Sequence, residues 1–159
     1  MKRVNQIIKH PIFLREQQRI CEFEKERPYC GHQSEHLLDV ARIGWIMILE
    51  EGLPIKKTVF YAAALTHDIG RAIQYETGNE HQIAGIPLAE NVLLECGYNK
   101  QEREEILNAI RMHRTYPENE KSLAGVLYRA DKKSRACYCC VAESSCNWSK
   151  QKKNLQIQY

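Results

Sequence analysis

Glycine and proline are scarce, with eight and five among 159 residues, and alternating β-branched stretches are nearly missing. So few turn formers and so little period-two patterning exclude a sandwich or barrel of short strands, and leave an all-α domain. No segment of twenty to fifty residues recurs, which excludes a solenoid. No run nears the ~18 uncharged apolar residues that cross a bilayer, and the opening MKRVNQIIKHPIFLREQQR is too charged for a signal peptide. A cytoplasmic protein without a membrane partner is expected. An excess of one charge is also missing. The net charge is +3, and Lys150, Lys152 and Lys153 sit in the last thirteen residues with no acid, so residues 1–146 hold 20 bases and 20 acids. Such a body has no obvious electrostatic footprint for duplex nucleic acid, and no duplex partner is expected, while local basic groups can still bind phosphate.

The length suits one domain that buries roughly two-thirds of its unfolded surface. We expect residues 1–146 to form it, with an N-terminal helix and a cysteine-rich C-terminal segment, and residues 147–159 to be a basic, poorly ordered tail. Seven cysteines in a reducing compartment read as free thiols or metal ligands before disulfides.

The periodicity predicts one amphipathic helix after Pro11 within residues 1–30, and another over Ser34 to Glu50, closed by Gly52 and Pro54. Thr58 is the expected N-cap of a short apolar helix that runs into Thr66-His67-Asp68. His81 to Cys96 reads as helical, with Pro87 in its first turn or at a kink. Asn99 and Glu102 form a capping-box pattern ahead of Ile106, Leu107, Ile110 and His113. A last helix starts near Ser122 and delivers Asp131 at its end.

His36, His67, His81 and His113 stand where apolar helical stripes meet polar positions, and Asp68 and Asp131 occur in similar settings. One such histidine is ordinarily a satisfied core residue. Four imidazoles and two carboxylates converging on one core, however, would cost several kcal/mol without a cation or mutual pairing. Imidazole with carboxylate suits a first-row divalent metal such as Fe, Mn, Ni or Zn better than Ca or Mg. His67 and Asp68 cannot share a side of a regular helix, but at a helix end both can reach one ion, and the carboxylate has a second oxygen for another.

The ordered set His36-Leu-Leu-Asp-Val-Ala, His67-Asp68-Ile-Gly and Ala130-Asp131-Lys132 resembles the HD superfamily of metal-dependent phosphohydrolases. The likeness runs from about His32 to Arg135. It implies an all-α HD-domain helical bundle. It also implies one or two divalent metals, the first on His36, His67, Asp68 and Asp131, the second on His81, His113 and the other oxygen of Asp68. The segments His81-Gln-Ile-Ala-Gly and Ala109-Ile-Arg-Met-His113 are most similar to small bacterial HD hydrolases of dinucleoside polyphosphates and related nucleotides. A phosphorylated small molecule of nucleotide type is the partner this resemblance implies.

Arg71, just after the Ile-Gly, and Lys132, beside Asp131, are placed to hold phosphate, with Arg114 and Arg111 weaker candidates next to His113. Solvated surface charge is the reading preferred for Lys133, Arg135 and Arg111, while Arg71 and Lys132 stay open between the two. His32 shares a helix face with His36, four residues on. Val40-Ala41 selects His36 as the ligand and leaves His32 to substrate contact, support or surface. His10 reads as structural or exposed.

Cys137 and Cys140 have the gap of a metal knuckle, and Cys146 follows. Cys30 would complete the set, since it precedes His36 by six residues as Cys137 follows Asp131 by six. A structural zinc or an Fe–S cluster is one reading; reduced thiols packed as small apolar groups are the other. The expected activity is hydrolysis of a phosphoester or phosphoanhydride by metal-activated hydroxide. A di-iron HD-fold oxygenase and a non-catalytic nucleotide or redox sensor are the alternatives.

Overall fold

The apolar periodicity resolves into nine α-helices in the computed structural model, which describes residues 1–159. They are α1 (Lys2–Ile7), α2 (Pro11–Phe23), α3 (Ser34–Glu50), α4 (Lys57–Thr66), α5 (Arg71–Thr77), α6 (His81–Ala84), α7 (Ile86–Glu95), α8 (Lys100–Met112) and α9 (Leu123–Lys133). Two short 3₁₀ turns follow, Cys137–Cys139 and Glu143–Ser145, and there is no strand. The all-α helical bundle expected from the sequence is the observed architecture.

Helix α4 runs through the middle. Val59, Phe60, Ala62, Ala63, Ala64 and Leu65 are all buried there, because α1, α3, α8 and α9 pack around it. Small alanines let those neighbours approach closely. On α3, Gly44 admits the Phe60 ring: a Cβ at that position would fall 2.0 Å from the ring. From the other side Ile106 and Ile110 of α8 and Val126 and Leu127 of α9 close the core.

Several helix boundaries follow local chemistry. Asn99 and Glu102 form the expected reciprocal capping box, and the Ser122 hydroxyl accepts from Gly125 N at 3.0 Å. Other boundaries differ from expectation. The N-terminal region is two helices, because His10 caps α2 with Nδ1 accepting from Ile12 N and Pro11 occupying N1. His10 is thereby structural, buried with Nε2 3.1 Å from Glu95 Oε2. Lys56 rather than Thr58 is the N-cap of α4. The stretch from His81 breaks at Gly85, and Pro87 lies in the first turn of α7.

That break places the site. A Cβ on Gly70 would fall 2.4 Å from His81 O and 2.5 Å from Gly85 N, so only glycine lets the turn after α4 meet the end of α6. The basic C-terminal segment, expected to be poorly ordered, lies against α9: Asn154 Nδ2 donates to the carbonyls of Lys133 and Arg135 at 2.8 and 3.0 Å.

Candidate metal centre

Five helices aim their ends or first turns at one point. His36 lies in the first turn of α3, His67 caps the C-terminus of α4, and Asp68 follows in the turn. His81 opens α6, His113 caps α8, and Asp131 lies in the last turn of α9. All six are buried. The structure brings every residue of the expected ligand set together.

The donors divide into two trios that share Asp68. His36, His67 and Asp68 offer ligand atoms within 4.8 Å of one another, as do Asp68, His81 and His113. Asp68 Oδ2 faces the first trio, 3.1 Å from His67 Nε2 and 3.6 Å from His36 Nε2. Its Oδ1 faces the second, 3.0 Å from His81 Nε2 and 3.8 Å from His113 Nε2. Asp131 Oδ1 adds to the first group, 3.3 Å from His36 Nε2.

The outer ring nitrogens fix which atoms point inward. His67 Nδ1 donates to Ala64 O at 2.8 Å and His113 Nδ1 to Ile110 O at 2.6 Å, contacts that the end of a helix makes available. His81 Nδ1 donates to Gln74 Oε1 at 2.7 Å, and Ser134 Oγ stands 3.2 Å from His36 Nδ1. Each ring thus turns its Nε2 lone pair toward the carboxylates, the arrangement that metal-bound histidines require.

Two of the buried donor atoms have nothing in the protein to satisfy them. His67 Nε2 and Asp68 Oδ2 are fully buried with no hydrogen-bond partner. His81 Nε2 and His113 Nε2 are 3.0 Å apart, where two lone pairs repel unless a proton or cation lies between or beside them. Leaving such groups unpaired costs about 1–3 kcal/mol each, and more if charged. The donor set therefore fits divalent metal.

Electrostatics agrees. Burial would raise the Asp68 carboxyl, but His67 and Arg71 hold it well below the usual carboxylate range. Burial likewise opposes Asp131, which Arg135 and its other neighbours keep ionised. Burial, with His67 beside it, pushes His113 down to about 3, so its imidazole is neutral and free to ligate. His67 is raised: burial opposes the shift, and the Asp68 charge overcomes it.

Around the donors lie the expected phosphate-holding cations. Arg71 Nε donates to Asp68 Oδ1 at 3.1 Å, and Lys132 Nζ to Asp131 Oδ2 at 2.5 Å. Arg114 is exposed at the rim, 3.8 Å from Glu80. The reading of Arg135 as a solvated charge is wrong. It is 5% exposed, with Nη2 3.1 Å from Asp131 Oδ1 and 3.0 Å from His36 Nε2, and Nη1 donating to Gly31 O. The i,i+4 spacing from Asp131 was the available sign.

Three more residues, Glu24, Tyr75 and Gln74, had no sequence signal. Glu24 is buried just past α2, where it accepts from His32 N at 2.7 Å, from Tyr75 Oη at 2.6 Å and from His32 Nδ1. His32 therefore belongs to neither trio; its ring packs edge-on to His36 with centroids 5.8 Å apart. Gln74, which receives His81, is the third.

All seven cysteines are free thiols. Cys30, Cys137 and Cys146 line a cavity of about 520 Å³ at the mouth of the centre, and Cys30, Cys139 and Cys140 line a neighbouring one of about 420 Å³. Tetrahedral thiolates on zinc lie about 3.8 Å from one another. No cysteine belongs to a trio of ligand atoms within 4.8 Å, and Cys30, Cys137, Cys140 and Cys146 line the walls of these two cavities.

Comparison with known proteins gives the same picture. A family model described as HD domain matches residues 34–142. A Clostridium beijerinckii protein described only as uncharacterized is 39% identical over 159 residues, the whole of both chains. Ribonuclease Y of Mycoplasma mycoides subsp. mycoides is 32% identical over 96 residues, 60% of this chain but 17% of that protein. The crystal structure of a predicted HD superfamily hydrolase from an uncultured Thermotogales bacterium superposes with a TM-score of 0.65 at 23% identity, covering 91% of this chain and 80% of that one.

Proposed function

The chain belongs to the HD domain family, and we propose that it is a metal-dependent phosphohydrolase cleaving a phosphoester or phosphoanhydride in a nucleotide-like substrate. The observation that carries this reading is the pair of donor trios sharing Asp68, with His67 Nε2 and Asp68 Oδ2 left without partners. One or two divalent ions of Fe, Mn, Ni or Zn would supply a water acidic enough to attack phosphorus at neutral pH, and would offset charge on the phosphoryl oxygens.

The chain's own residues do the rest. Asp68 holds both trios in register because its two oxygens face opposite ways. Arg71, fixed by Asp68 and Gln74, and Lys132, fixed by Asp131, hold phosphoryl oxygens beside the donors. His32 is neutral near pH 7, because burial pushes it down to about 4. With Nδ1 anchored by Glu24, it offers Nε2 to a substrate hydroxyl or water. Arg114 meets the outer part of the substrate.

The test is an assay of metal-reconstituted protein against a panel of nucleotides and phosphoesters, with His67→Ala and Asp68→Ala beside it. Turnover is expected in the parent chain and at least a hundredfold less in each variant. Full activity in either variant overturns the mechanism.

A further inference from the structure

The cavity of about 520 Å³ over the centre gathers six cations: Arg27, Arg71, Arg114, Lys132, Arg135 and Lys152. Asp131 is the one acid on its wall, and Lys132 and Arg135 already pair with it. In a chain body with equal numbers of acids and bases, this is a steep local concentration of one sign. Like charges crowded around a concave, low-dielectric space focus a field that draws anions.

Arg114 faces Glu80 at the rim, and the other five cations fall into two sets. Arg71, Lys132 and Arg135 touch the buried carboxylates and stand where a phosphoryl group beside the metals would lie. Arg27 and Lys152 make no salt bridge, and both come from segments outside residues 34–142, one before α3 and one after the cysteine-rich stretch. The same outer segments supply Tyr29 and Trp148 to the wall. Trp148 is partly exposed and carries Lys132 Nζ 5.5 Å from its ring centroid, so a cation and an aromatic face adjoin. A space of this size exceeds one phosphate severalfold and matches a small organic ligand.

We propose that the segments flanking the HD-matched residues build a second subsite, in which Arg27 and Lys152 bind a phosphoryl group remote from the metals and Trp148 stacks on a nucleobase. The ligand class is a nucleotide with at least two consecutive phosphates. This rests on the phosphohydrolase reading of the same site. Arg27 Nε donates to Cys30 O at 3.1 Å, and a monophosphate would leave Arg27 and Lys152 without an anionic partner. Stacking on an aromatic side chain is worth about 1–3 kcal/mol per base, which by RT corresponds to roughly five- to 150-fold in affinity.

Binding to the full-length chain is measured calorimetrically with AMP, with α,β-methylene-ADP, whose phosphate bridge resists hydrolysis, and with methylene diphosphonate, which has no base. α,β-Methylene-ADP is expected to bind at least tenfold tighter than either of the others. In the Arg27→Ala/Lys152→Ala double variant its advantage over AMP disappears, while AMP affinity stays within twofold. In Trp148→Ala its advantage over methylene diphosphonate disappears. Equal affinity for AMP and α,β-methylene-ADP, or unchanged affinities in these variants, overturns the proposal. So does a short single-stranded RNA without terminal phosphate that binds more tightly and displaces α,β-methylene-ADP. Discriminating binding without turnover keeps the subsite and removes the hydrolase; turnover without discrimination does the reverse.

Discussion

Arg135 Nη2 lies 3.0 Å from His36 Nε2, so a buried guanidinium donates to the nitrogen that faces the Asp68 and Asp131 carboxylates. The same group pairs with Asp131, and in the metal-free chain it does part of a cation's work there.

Arg135→Met should therefore separate two effects. Without metal, Asp131 loses its largest favourable partner, and unfolding free energy falls by about 3 kcal/mol. With metal, the competing donor on His36 is gone and divalent affinity rises severalfold. Denaturant titration with and without metal, and calorimetric metal binding, check both; unchanged apo stability would refute the pairing.

Asp68 serves both trios, whereas His113 serves one. Elemental analysis after saturation with metal should give two ions per chain in the parent and one in His113→Ala. Asp68→Asn should lose both, since an amide cannot offer two anionic oxygens.

Gly70→Ala tests how backbone packing sets the centre. The added methyl would meet His81 O and Gly85 N, which are backbone and cannot swing aside. A melting temperature lower by several degrees is expected, with the ion of the His81 trio lost in preference to that of the His36 trio.

Acid should destabilise the metal-free fold early. Burial pushes His113 down to about 3 and His32 down to about 4, so the native chain keeps both neutral while the unfolded chain protonates them near 6.5. From pH 6.5 to 4 the unfolded state holds more protons, and stability falls as pH falls, by up to about 1.4 kcal/mol per pH unit for each. Burial would raise Glu24, but His32 and Tyr75 hold it at about 2, which extends the loss below 4.5. Denaturant midpoints across this range measure the slope. His32→Asn should flatten it.

Thiol titration under native conditions should find Cys21 and Cys139 reacting fast, with Cys96 and Cys137 waiting for unfolding. Cysteine substitutions at Cys140 or Cys146 should leave the ion count unchanged; loss of an ion would restore a thiolate site.

How far the sequence could be read depended on the range of the forces involved. The capping box of Asn99 and Glu102, the Ser122 cap and the meeting of imidazoles with apolar stripes are written within a few residues, and so the all-α class and the six donors were legible. The break at Gly85 and the split at His10 were less so, because apolar periodicity continues across both. Glu24 and Arg135 were hidden for a further reason. Nothing local distinguishes Glu24 among the chain's 20 acids as the one to lose its water, and the i,i+4 spacing of Arg135 from Asp131 marks a pairing without showing that it is buried.

Sequence alone determined which side chains could bind metal, since helix spacing and the His67-Asp68 doublet dictate their chemistry and order. Tertiary structure decided which cations face them. Arg27 and Lys152 are 125 positions apart yet line one cavity with Arg135. Desolvation and charge focusing act through space, and only the packing of α2, α9 and the C-terminal segment brings those surfaces together.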